Sequence, residues 1–153
     1  MTPAQAMEVG SRLINLLNQQ RLLYRQLQEL AQKQSGLVNG SDPEMLLRVL
    51  AGRQRLIDRL TALDKELEPI RRDWQEIAQM IPPQQRQEAQ SLVESVQEIL
   101  GEIIARDETD SQTLGRQRER VAGEIRTATA GRRVNNLYAK AGPVGPSRLD
   151  LTE

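Results

Sequence analysis

The side chains that most often perform chemistry are either missing from this sequence or scattered along it. There is no His and no Cys, which removes the commonest general base, the thiol nucleophile and the usual transition-metal ligands. The Ser and Thr residues fall at capping or solvent-facing positions, with no accompanying base that spacing identifies. Asp107, Glu108 and Asp110 form the densest carboxylate group. They lack the glycine-centred loop of a calcium hand, so they read as a solvated acidic break in a helix rather than a metal site. Arg116 and Arg120 share a helix face, but without aromatic companions they read as surface ion-pair partners. No glycine-rich phosphate loop is present. The residues therefore assign no catalytic, cofactor-binding or metal site, and the expectation is a protein that is not an enzyme and needs no cofactor.

Composition narrows the partners in the same direction. Lys plus Arg equals Asp plus Glu at 21 each, so the basic excess that phosphate neutralisation requires is absent and no nucleic-acid partner is expected. No apolar run approaches the roughly 20 residues of a membrane-spanning helix. The opening MTPAQAMEVG has neither the basic head nor the apolar core of a signal peptide. A soluble, cytoplasmic protein without membrane insertion is the expectation. With 38% hydrophobic residues and no Phe, the core must be thin helix-to-helix seams of Leu, Ile and Val.

Those seams are explicit. Steps of three and four residues pass through Leu46, Val49, Arg53, Leu56, Leu60, Leu63, Leu67, Ile70, Trp74, Ile77 and Ile81, apolar at every position but Arg53. A 3.5-residue period keeps one helix stripe against a partner over many turns. The partner lies upstream, with Val9, Leu13, Leu16, Leu23, Leu27 and Leu30 on one seam and Gln20 and Gln34 interrupting it as register devices or solvated gaps. Between them Gly36 and Gly40 can take the left-handed conformation that ends a helix. Ser41 with Glu44 matches a capping box, Asp42 is an alternative cap, and Pro43 suits a first turn. Pro69 predicts a bend near 65–68 in an otherwise continuous helix.

A third helix opens near Pro83 and carries Leu92, Val96, Ile99 and Ile103. Its pattern thins beyond Arg106, leaving Leu114, Val121, Ile125 and Ala128 at helical spacing. That stretch is either the frayed end of a bundle helix or a helix left incomplete for a partner to finish. Pro and Gly in 142–146 preclude regular structure, so 134–153 reads as a flexible tail, whose apolar islands around Tyr138 and Leu149 read as a docking motif or as noise. The predicted fold is all-α, an elongated antiparallel hairpin or three-helix bundle with coiled-coil packing over 1–133. Its helices span about 3–35, 43–81 and 83–131.

The run RVLAGRQRLIDRLTALDKELEPIRRDW (48–74), the preceding LINLLNQQRLLYRQLQEL (13–30), the long third helix and the LYAKAG of the tail together resemble the FlgN-type flagellar export chaperones. The resemblance implies a cytoplasmic chaperone that binds the flagellar hook-associated proteins, FlgK-like and FlgL-like, and delivers them to the cytoplasmic domain of the type III export gate. For such a role the under-filled end of the third helix, Leu114, Val121, Ile125 and Ala128, is the surface expected to cover the client's amphipathic terminal helix, and the resemblance implies that Tyr138 docks on the gate. A structural coiled-coil protein that homodimerises through the same heptads, or a FliT-like chaperone for another flagellar substrate, are the rival readings.

Overall fold

The computed structural model describes residues 2–132, and the side chains of 2–127. It is all-α, with no strand among the described residues. Helix α1 (Pro3–Leu37) begins at a reciprocal cap: the Gln5 amide donates to the Thr2 hydroxyl at 3.2 Å, and the Thr2 amide donates to Gln5 Oε1 at 2.8 Å. Helix α2 (Pro43–Arg72) is capped by Asp42, whose Oδ1 accepts from the Met45 amide at 3.0 Å. Asp42, and not Ser41, is the cap; the Ser41 amide donates to Asn39 Oδ1 at 3.1 Å.

Of the two glycines in the connection, only Gly40 takes a left-handed conformation, at φ 82°; Gly36 lies within α1. Gly40→Ala should therefore destabilise the fold by about 1 kcal/mol. Gly36→Ala meets open space and should stabilise by about 0.5–1 kcal/mol. Urea unfolding of the two variants measures both.

The second seam does not run to Ile81 as one kinked helix. Helix α2 passes through Pro69 and ends at Arg72; Asp73, at φ −100° and ψ 16°, separates it from α3 (Trp74–Met80). Leu67 and Ile70, on either side of the proline, are both buried in one cluster, and that packing carries the helix across the missing N–H. The seam keeps its phase over the break, since Ile77 and Ile81 enter the same cluster. Pro82 and Pro83 then turn the chain into α4 (Pro83–Arg132), 50 residues without interruption.

Helix α1 is the centre of the assembly. It approaches α2 and α4 closely along its length, whereas those two helices reach each other mainly through long side chains. Helices α1 and α2 are antiparallel, with Arg12 beside Glu66 at one end and Gln34 beside Arg53 at the other. Two apolar clusters fill the seams. The lower one joins Ala6, Leu13 and Leu17 to Leu67, Ile77 and Leu92; the upper one joins Leu27 and Ala31 to Leu56, Leu60, Ile99 and Ile103. Near the base the Gln85 side chain of α4 crosses α1 at Gly10, in the space a Cβ would fill, so a larger residue there would make the end of that side chain swing aside.

Candidate functional site

Helix α4 runs parallel to α1 in a nearly constant register. Ser11 meets Gln85, Gln28 meets Glu102 and Ser35 meets Asp110, at sequence separations of 74, 74 and 75. At that offset the end of α1, Leu37, lies level with residue 112. Helix α4 continues to Arg132, so residues 113–132 project past the hairpin by roughly 30 Å. The length difference between a 35-residue and a 50-residue helix creates this overhang.

The root of the overhang is a buried polar layer. Arg53, the single charged residue on the α2 seam, is bidentate to Asp107 at 2.8 Å for both bonds, and its Nη1 also donates to Gln34 Oε1 at 2.6 Å. The side chains of the pair are only 5% and 9% exposed. One turn further along, the Ser35 hydroxyl lies 2.9 Å from both oxygens of Asp110. Asp107 and Asp110 are therefore not a solvated break. They occupy the continuation of the apolar seam, Ile103, Asp107, Asp110, Leu114, and α4 is unbroken through them. Gln34 is likewise a partner in the layer and not a solvated gap. One donor, Arg53 Nε, has no acceptor.

Burial raises the Asp110 carboxyl above its ordinary 3.8; the Ser35 hydrogen bond opposes that, Asp107 adds to it, and Arg106 and Arg53 counter it. A raised carboxyl holds its proton more tightly when folded. Its contribution to stability is thus complete below pH 3.8 and is lost as the pH rises through the folded value. Asp110→Asn, which keeps an acceptor for Ser35, should stabilise the fold at neutral pH and lose that advantage in acid, as urea unfolding across the two conditions would record.

Of the residues expected to cover a client, Leu114 is half-buried at the level of the α1–α2 turn, while Val121 and Ile125 stand 48% and 40% exposed on the overhang. Ala128 belongs to α4, but its side chain lies outside the described residues, and Tyr138 lies outside them altogether. Helix α4 therefore places the first three on one continuous rod, the lowest of them against the bundle.

A second apolar surface escapes the heptad reading. Trp74, half-buried, lines an open furrow of about 710 Å³ between α3 and the base of α4, floored by Leu13 and Leu17 and edged by Ala89 and Val93. Its charged lining is Arg71 and Arg86. Arg71 pairs with Asp64 at 2.7 Å, and Arg86 donates to the carbonyls of Ala78 and Ile81, closing the end of α3. Trp74 thus packs against the core on one side and borders the furrow on the other, and its seam position alone carried no sign of the gap beside it. Among the described residues no helix is long and apolar enough to cross a membrane, and no cluster of acidic residues has a metal-binding arrangement. Comparisons with protein-family models, with curated proteins and with solved structures return no match for this chain.

Proposed function

We propose that this chain is a helical export chaperone of the FlgN type. It holds the amphipathic terminal helix of a hook-filament junction protein, FlgK-like or FlgL-like, and keeps it from assembling before delivery to the type III export gate. The observation that carries the reading is the overhang of α4, which presents Val121 and Ile125 to solvent on a helix anchored firmly at its root. Terminal helices of filament-type subunits coil together only on assembly, so each exposes an apolar stripe until then. An unpaired stripe on a helix is the complementary surface for helix-to-helix packing. The protein acts in the cytoplasm by binding, without catalysis or cofactor, and Tyr138 serves the contact with the gate.

Each large aliphatic side chain buried by a client contributes about 1.5–3 kcal/mol before ordering costs. Replacing Val121 and Ile125 together by Asp should therefore weaken client binding by roughly 100-fold or more. The melting temperature should hardly move, because both residues lie beyond the bundle. Isothermal titration with a FlgK-like client and a thermal melt test this together; undiminished affinity in the double variant would reject the assignment. Sedimentation of the chain alone separates the rival structural rod, which should be fully associated without any client.

A further inference from the structure

The charge on the overhang specifies its partner more narrowly than the apolar stripe does. Beyond Leu114 the seam steps to Arg118, Val121 and Ile125, at intervals of four, three and four, so a guanidinium sits in the middle of the otherwise apolar face. The body shows how this fold answers a seam arginine: Arg53 is met by Asp107 from the facing helix. Among the described residues no carboxylate pairs with Arg118. Residues 113–132 as a whole contain five Arg against two Glu, although residues 1–112 contain thirteen basic against seventeen acidic side chains. The overhang is a basic end on an acidic body.

We infer that this face takes an acidic amphipathic helix from a partner protein, with a carboxylate set against Arg118 as Asp107 is set against Arg53. The inference rests on the docking role proposed above and adds the chemical class of the ligand. Other occupants fit less well. Residues 133–153 carry three basic side chains against two acidic, and the overhang of a second copy is equally basic, so both would meet this face with charge of the same sign. The body of a second copy is acidic, but its seams are buried in the two clusters and its open furrow is lined by Arg71 and Arg86.

The test uses the full chain and synthetic amphipathic helices sharing one Leu and Ile stripe, with flanking positions all Glu, all Gln or all Lys. The Glu peptide should bind about tenfold more tightly than the Gln peptide, the Lys peptide should be weakest, and the differences should shrink at high salt. Arg118→Glu should reverse the order. Equal binding of all the peptides, still lost in the Val121→Asp, Ile125→Asp double variant, would overturn the acidic preference and leave the docking role standing. Binding indifferent to that double variant would overturn both. So would a dimer of the chain alone that the double variant dissolves, because a second copy would then be the occupant.

Discussion

Replacing Asp107 by Ala should destabilise the folded chain by about 3–5 kcal/mol, because it leaves a buried guanidinium hydrogen-bonded only to the neutral Gln34 side chain. The loss measures the stranded charge and not the net worth of the ion pair. Desolvating both partners offsets most of their attraction, and Arg53 Nε stays unpaired even in the intact layer. Replacing the whole layer should therefore do no harm: Arg53→Met, Asp107→Leu and Gln34→Leu combined should be as stable as the parent or more so, by up to about 4 kcal/mol. Urea unfolding distinguishes the two results. What the layer supplies is a unique alignment, since Leu and Ile seams tolerate a slip of one heptad and an Arg facing an Asp does not.

Ending the chain after Gln112 should abolish client binding while lowering the melting temperature by only a few degrees. The cut falls where the register brings α4 level with the end of α1, so both apolar clusters and the polar layer remain whole. The small loss comes from Leu114, half-buried against the turn. Thermal melting and client titration of the truncated chain check the two halves of this expectation. A collapse of the melting temperature would mean that the overhang contributes to the bundle and is not held in reserve.

The helices, their seams and the thinning of the last one were legible because periodicity reports which face of a helix is covered. It does not report what covers it. Arg53 stood out as the one charged residue on its seam, but its partner is 54 residues away, and Asp107 drew the eye only as part of an acidic run. The same stepping rule, continued from Ile103, lands on Asp107, Asp110 and Leu114 and would have marked both carboxylates as inward-facing. Pro69 lies within α2, where Leu67 and Ile70 pack on either side of it, and the helix ends three residues later at Arg72. The furrow beside Trp74 depends on how far α3 stands from the base of α4, a distance no single-helix pattern encodes.

Because α4 is one uninterrupted rod, it also works as a ruler. Val93 borders the furrow at one end and Val121 lies on the open face at the other, a spacing of roughly 40 Å along the helix axis. A short ligand cannot bridge that span. Two separate guests, one at each end, would sit clear of each other, and releasing either would leave the other's berth undisturbed.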